Sequence, residues 1–151
     1  MDTVTVSRTF ESDLEEMVAR CRSLDGRMCW PGAVPNWETA ETLYFQVSMR
    51  LKAATMTDID VEETVSPRED VAGQVVFRTT QRCTWPEGVA IGSTEYRFAP
   101  GSPNTVTLTY LYDPPPSKLV KPKNLPAFHH GMQKVVDLYL DRLTGAAVAA
   151  R

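Results

Sequence analysis

Residues 105–112 alternate between polar and apolar side chains, in the order Thr-Val-Thr-Leu-Thr-Tyr-Leu-Tyr. A period of two predicts a strand with one polar and one apolar face. Three prolines at 114–116 end this strand, and a segment that begins at Asn124 then carries apolar side chains at helical spacing. The pattern predicts a long C-terminal helix whose apolar stripe covers a sheet. The stripe consists of Leu125, Phe128, Met132, Val135, Val136, Tyr139 and Leu143.

The N-terminal part of the chain predicts a strand, a helix and a loop. Residues 3–10 alternate, which indicates the first strand. A helix is expected to begin at the capping-box pattern of Ser12 and Glu15 and to end at Asp25-Gly26. Residues 30–37 hold two tryptophans among prolines and a glycine, a composition typical of a loop.

The middle of the chain predicts a meander of strands. Each segment alternates between polar and apolar residues, and short turns join one segment to the next. Short connections favour antiparallel pairing between neighbours. The segments span about residues 42–52, 56–66, 73–83 and 89–98.

Length and composition limit the class of protein. The 151 residues fit one domain, which we place at residues 1–145, with a flexible tail over 146–151. A net charge of -3 gives no basic surface for nucleic acid. Three cysteines without a CxxC pair favour reduced thiols. Because the chain opens on a strand pattern and has no apolar run that would span a bilayer, we expect a cytoplasmic protein.

The order of these elements resembles the START/SRPBCC superfamily of helix-grip proteins, which are similar to the birch-pollen allergen and include bacterial polyketide cyclase/dehydrase-type proteins. The resemblance covers nearly the whole chain and rests on the element order, on the hairpin over residues 96–110 and on the closing helix. It implies an α+β fold in which a seven-stranded antiparallel sheet wraps around the long C-terminal helix, with short helices after the first strand. It also implies an apolar cavity of several hundred Å³. No functional residue carries over, because the superfamily has no universal catalytic signature.

Three residues are candidates for proton transfer. Glu63 shares strand parity with Val61 and Val65, so a regular strand points its carboxylate inward, whereas a bulge would turn it outward. Tyr110 falls on the inner face of the last strand. Its phenol either hydrogen-bonds a ligand or is a plain core side chain. His129 lies at the edge of the apolar stripe. It is either a proton shuttle at the cavity or a histidine with a structural role.

The same parity argument assigns candidate ligand-binding residues to the inner face of the sheet and to the helix. The face of the strand over 89–98 stays open, because Thr94, Tyr96 and Phe98 form an equally apolar alternative to Ser93 and Glu95. The candidates are Trp37, Phe45, Val47, Met49, Val61, Phe77, Thr79, Gln81, Ser93, Glu95, Tyr112, Phe128 and Met132.

Metals and cofactors are not expected. His129 and His130 are adjacent, so on a helix their side chains diverge by about 100° and do not chelate one ion. Lys118, Lys121 and Lys123 form a basic loop that is either solvated or attractive to an anionic partner, with an acyl carrier protein as one such partner.

Two functions follow from a cavity of this kind. Resemblance to the cyclase/aromatase branch implies a cofactor-independent enzyme that folds a poly-carbonyl substrate, while Glu63, a tyrosine phenol or His129 moves protons. The alternative is a non-catalytic carrier of a lipid or another hydrophobic metabolite. A partner-binding module that uses the outer face of the sheet is a third reading, but this face is rich in threonine and charge.

Overall fold

The computed structural model describes residues 2–52, 55–116 and 120–145. The predicted tail over residues 146–151 lies outside the described residues. The elements are, in chain order, strand β1 (Asp2–Phe10), helices α1 (Leu14–Cys21) and α2 (Leu24–Arg27), strands β2 (Ala33–Glu38), β3 (Thr42–Lys52), β4 (Thr55–Val65), β5 (Glu69–Val71), β6 (Gln74–Trp85), β7 (Gly88–Ala99) and β8 (Asn104–Tyr112), a 3-10 turn (Pro122–Asn124) and helix α3 (Leu125–Thr144).

All the strands belong to one antiparallel sheet. Its order is β1-β8-β7-β6-β4-β3-β2, and β5 pairs separately with β6. The chain therefore returns at its end to pair its last strand with its first, with Val4 opposite Tyr110. The predicted α+β fold is confirmed, with seven strands along the main path, short helices after the first strand and a long C-terminal helix.

Two strands differ from the sequence prediction. The segment expected to be a loop contains β2, which lies at the edge of the sheet and pairs with β3. Most of its side chains are exposed, so burial imposes no alternation on it, and Pro35 adds a further loop signal. β5 has three residues, all exposed, and carries no pattern for the same reason.

The first helical region also differs in detail. The N-cap of α1 is Asp13 rather than Ser12, and its carboxylate accepts a hydrogen bond from the backbone N–H of Glu16 at 3.3 Å. The predicted single helix is two, because α2 begins anew behind Ser23, whose hydroxyl accepts a hydrogen bond from the Gly26 N–H at 3.2 Å. This break orients α2 separately and carries Arg27 into the core.

The core lies between one face of the sheet and helices α1 and α3. The inward side chains of β8 include Val106 and Leu108, which are fully buried, and α3 contributes Val136 and Leu140. Arg8 on β1 also anchors α3 through ion pairs to Asp137 and Asp141. Among the residues described, no helix combines the length and apolar character needed to cross a membrane.

Candidate ligand-binding site

A pocket with an open volume of about 100 Å³ lies between the inner face of the sheet and α3. Its walls are mainly apolar, and two tryptophans, Trp30 and Trp85, lie on them. Ten of the predicted site residues line it. These are Glu63, Tyr110, Phe45, Val47, Met49, Val61, Gln81, Tyr112, Phe128 and Met132.

The pocket is smaller than the several hundred Å³ that the resemblance implies. One reason is Trp30, whose ring stacks on Tyr139 of α3 with centroids 4.0 Å apart. A second reason is a group of buried polar side chains at one end of the pocket, including Glu63 and Gln81. These side chains occupy volume that a deeper cavity would leave open.

Six predicted site residues do not line this pocket. Phe77 and Thr79 face inward but lie in the filled part of the core, each 1% exposed. Trp37 is 54% exposed at the sheet edge, where it stacks on Tyr44 with ring centroids 3.8 Å apart. The other three are Ser93, Glu95 and His129.

The candidates Ser93 and Glu95 lie off the inner face of β7, which decides between the two faces that the sequence left open. Thr94, Tyr96 and Phe98 are buried on the inner face instead. Glu95 pairs on the outer face with Arg78 at 3.1 Å and with Arg97 at 3.3 Å. Both faces of this strand carry apolar or small residues, so the ion pairs and the larger aromatic side chains decide which face is buried.

Several wall residues were not predicted. Val135 belongs to the predicted apolar stripe of the C-terminal helix, and Ile59 shares strand parity with Val61, but neither was named as a candidate. Gly92 and Ala90 have small side chains that give no signal of a binding site. Trp30 and Trp85 lie outside the main alternating segments. The full set of unpredicted wall residues is Trp30, Ile59, Cys83, Trp85, Ala90, Ile91, Gly92, Asp113 and Val135.

Arg27 was also missed, and it forms the end of the polar cluster behind the pocket. It is fully buried, and its Nε donates to Glu63 Oε1 at 2.5 Å. Its Nη1 donates to the Cys21 carbonyl at 2.5 Å and to the Tyr139 hydroxyl at 3.2 Å. Burial by itself lowers the pKa of Arg27, but the charge of Glu63 opposes this, and the net pKa lies well above the ordinary value.

A signal for this arginine existed in the sequence but gave no position. Glu63 was predicted to point inward, and a buried carboxylate requires a cation or several hydrogen-bond donors. The pattern around α2 does not identify Arg27 as the partner, because the two residues lie far apart in the chain and meet only through the fold.

Gln81 continues the polar cluster from Glu63 to the pocket wall. Its Nε2 donates to Glu63 Oε2 at 2.5 Å and lies 2.6 Å from the Thr79 hydroxyl and 3.0 Å from the Thr94 hydroxyl. Its Oε1 is buried and has no hydrogen-bond partner in the described part of the chain. The pocket wall therefore carries an unpaired acceptor.

Tyr110 and Gly92 form the wall next to this acceptor. A Cβ added to Gly92 would lie 3.1 Å from Tyr110 Cε1 and 3.2 Å from Gln81 Oε1, so both atoms flank the same point. Burial raises the pKa of Tyr110, which keeps its phenol neutral. Within the described ranges, the Tyr110 hydroxyl makes no hydrogen bond.

A second polar pair involves Tyr112 of the wall. The Tyr112 hydroxyl lies 2.6 Å from Nδ1 of His129, so His129 contacts the site through this tyrosine. Burial raises the pKa of Tyr112 to about 12. Burial likewise raises the pKa of the Cys83 thiol to about 12, which makes this wall residue a poor nucleophile.

The described residues contain no group of three or more His, Cys, Asp or Glu side chains arranged to hold a metal ion. The polar wall residues are instead Gln81 with its unpaired amide oxygen, the neutral phenols Tyr110 and Tyr112, the thiol Cys83, the ion-paired Glu63 and Asp113. These groups bind and orient a ligand by hydrogen bonds.

Neither a protein-family model nor a curated protein matches this chain. Crystal structures of a conserved protein from Geobacillus kaustophilus (10% identity, covering 99% of this chain and 97% of that chain, TM-score 0.75) and of a protein from Thermus thermophilus (17% identity, 99% and 99%, TM-score 0.65) are similar to it. A hypothetical protein from Helicobacter pylori is also similar (11% identity, 96% and 87%, TM-score 0.63). At these identities the similarity shows the fold alone, a helix-grip-like antiparallel sheet with a C-terminal helix.

Proposed function

We propose that this chain binds a small, mainly apolar molecule in the pocket between the sheet and α3. The observation that carries the proposal is an open space with apolar walls and a few convergent polar groups. Such pockets are the usual place of small-molecule binding. The element order supports membership of the START/SRPBCC superfamily, and this membership is part of the proposal.

The pocket limits the size of what is buried. An apolar cavity of about 150 Å³ accommodates benzene, so the smaller volume of about 100 Å³ encloses at most part of a ring or a short branched chain. Ile91, which is 41% exposed, and Asp113 lie on the wall, so the pocket is not closed on that side. A longer ligand would extend there toward solvent.

Binding is favoured over catalysis by the state of Glu63. Both of its carboxylate oxygens already accept hydrogen bonds, one from Arg27 and one from Gln81. A general base must lie within hydrogen-bond reach of the substrate proton, and these contacts fix its two oxygens toward Arg27 and Gln81 instead. Glu63 therefore serves to hold Gln81 and to neutralise Arg27.

A cyclase-like enzyme is the second candidate, and the pair of Tyr112 and His129 is the observation that favours it. Their contact of 2.6 Å links a phenol on the pocket wall to an imidazole outside it. In such a pair, the Tyr112 hydroxyl can donate a proton to an enolate in the pocket, and His129 can replace that proton from outside the pocket. If the substrate arrives on an acyl carrier protein, the exposed Lys121 and Lys123 beside α3 supply positive charge. Lys118 lies outside the described residues.

Native mass spectrometry of the protein purified from its own host tests the proposal. The expected result is a bound small molecule on the wild type and its loss from Gly92→Ala, because the new Cβ would lie 3.1 Å from Tyr110 Cε1 and 3.2 Å from Gln81 Oε1 and so displace these two wall side chains. Gly131→Ala is the matched control, since a Cβ at this exposed position on α3 meets no atom within 4 Å.

The identity of the molecule separates the two candidates. A poly-carbonyl or aromatic compound that changes on incubation supports the enzyme, and an unchanged compound supports the binding protein. Equal occupancy of the wild type and Gly92→Ala would place the molecule elsewhere and overturn the proposal.

A further inference from the structure

We infer that the ligand is a neutral molecule whose buried part is no larger than one ring and carries an O–H or N–H group that donates to Gln81 Oε1. The inference rests on the proposed binding function and names the chemical class of the ligand. It is carried by the unpaired, buried oxygen of Gln81 on the pocket wall.

The first step is the orientation of the Gln81 amide. Exchanging its oxygen and nitrogen would bring Oε1 to 2.5 Å from Glu63 Oε2, which places two acceptors in contact. The amide therefore has one stable orientation, with Nε2 toward Glu63. Oε1 is left without a donor in a residue that is 7% exposed.

The second step is the charge of Glu63. Arg27 donates to its Oε1, and neither side chain is more than 2% exposed, so the carboxylate is held as an ion at a fixed position. This ion pair explains the direction of the hydrogen-bond chain, which runs from Arg27 through Glu63 to Gln81. Arg27 and Glu63 are thus positioning residues for Gln81, a residue of the pocket wall that holds an unpaired acceptor.

The third step is the cost of an unpaired acceptor. A buried carbonyl oxygen without a donor loses its hydrogen bonds to water, and a ligand that donates to it restores one. Sites that hydrogen-bond a substrate hydroxyl reject the analogue without it, because the polar group of the site is then left unpaired. The pocket should therefore discriminate against hydrocarbons of the same shape.

The same groups exclude anionic ligands. A carboxylate on this part of the wall would meet Gln81 Oε1 and Glu63, both of which are acceptors. The positive charge of Arg27 is already paired with Glu63, and Arg27 itself is not on the wall. A fatty acid entering head first is thus disfavoured, and a phenol or an alcohol is favoured.

Gly92 packs directly against the Gln81 oxygen. A Cβ at this position would lie 3.1 Å from Tyr110 Cε1 and 3.2 Å from both Gln81 Oε1 and the Leu111 carbonyl oxygen, so a side chain there would press on the Gln81 amide. A larger residue there would cover the oxygen. We therefore assign Gly92 as a specificity-determining position.

The test is an NMR titration of the isotope-labelled full chain with phenol, toluene and benzoate, monitored at the Gly92 amide. Phenol and toluene share a shape and differ in the donor. In the wild type we expect phenol to bind and benzoate not to bind. In Gln81→Leu we expect the preference for phenol over toluene to fall by about tenfold, the worth of one buried hydrogen bond.

The outcomes separate the inference from the function on which it rests. If none of the three compounds shifts the wild-type Gly92 signal, both the binding proposal and the inference are wrong. If toluene binds and the ratio is the same in Gln81→Leu, or if benzoate matches phenol, the inference is wrong while the binding function stands.

Gln81→Leu leaves Glu63 Oε2 without its donor, so its folding is checked by the dispersion of its NMR spectrum. If Gln81→Leu is unfolded, the affinities of the wild type for phenol and toluene test the inference instead. Each affinity is divided by the water–octanol partition coefficient of the ligand, which removes the difference in hydrophobicity. After scaling, tighter binding of phenol supports the inference, and equal or weaker binding overturns it.

Discussion

Arg27 Nε and Glu63 Oε1 lie 2.5 Å apart in an ion pair closed to solvent, with 0% of the first side chain and 2% of the second exposed. The pair joins α2 to β4 and so fixes the N-terminal helices on the sheet. It also determines which way the Gln81 amide faces. One buried contact therefore serves both the fold and the pocket.

Removing one partner of this pair should be costly. Arg27→Met or Glu63→Gln leaves the other residue buried without its partner, and we expect a loss of about 3–5 kcal/mol in the free energy of unfolding. The double variant Arg27→Met/Glu63→Gln should lose less than the sum of the single variants. Urea unfolding of the four proteins gives these values.

A surface pair provides the control. Arg68→Ala breaks the exposed ion pairs of Arg68 with Glu15 and Asp70, and its effect should be much smaller because solvent screens these charges. If Arg27→Met costs no more than Arg68→Ala, the buried pair does not stabilise the fold as described.

Alkaline pH should destabilise the protein. Burial raises the pKa of the Cys21 and Cys83 thiols from 9.0 to about 12, so the folded state keeps these protons after the unfolded state has lost them. Their contribution to stability is therefore complete below pH 9 and is lost as the pH rises toward about 12. Urea midpoints measured across this range should fall, and Cys21→Ala/Cys83→Ala should fall less steeply. A midpoint that rises or stays level in the wild type would contradict the placement of Cys21 in the core and of Cys83 in the partly buried pocket wall.

Enlarging the pocket should change the size of ligand it accepts. Met132 of α3 lines the pocket and is 7% exposed, so Met132→Ala should admit larger rings and reduce stability by about 2–5 kcal/mol. Met17→Ala is the control, because Met17 of α1 is equally buried but is not on the pocket wall. Titration with a series of alkylbenzenes measures the difference. The same size preference in both variants would mean that ligands bind elsewhere.

The contact between Tyr112 and His129 should support the end of the sheet and the start of α3. Tyr112→Phe removes its hydroxyl from His129 Nδ1, and we expect a loss of about 0.5–1.5 kcal/mol. Tyr44→Phe should have little effect, because the Tyr44 hydroxyl makes no hydrogen bond within the described residues. Equal losses in the two variants, measured by thermal unfolding, would argue against a structural role for this contact.

The fold was predictable where burial imposes a period. β8 has one buried and one partly buried face, so its alternation identifies Val106 and Leu108 as core residues. β2 is exposed along most of its length and leaves no such trace, which is why it was predicted as a loop. The facing of β7 was open because both of its parities are apolar enough to be buried.

The site was predictable only in part, for a different reason. The alternation of side chains along the strands predicts that Glu63, Gln81 and Tyr110 face inward, and all three lie on the pocket wall. It does not give the partner of Glu63, because Arg27 reaches it through the separate orientation of a four-residue helix. Nor does it give the volume of the pocket, which depends on how far Trp30 and the polar cluster fill it.

The most direct test of the central claim is a crystal structure of the protein soaked with phenol. The expected result is a ring in the pocket beside Gly92, with its hydroxyl donating to Gln81 Oε1 at about 2.7 Å. A pocket closed by its own side chains, or phenol bound only outside it, would contradict the claim.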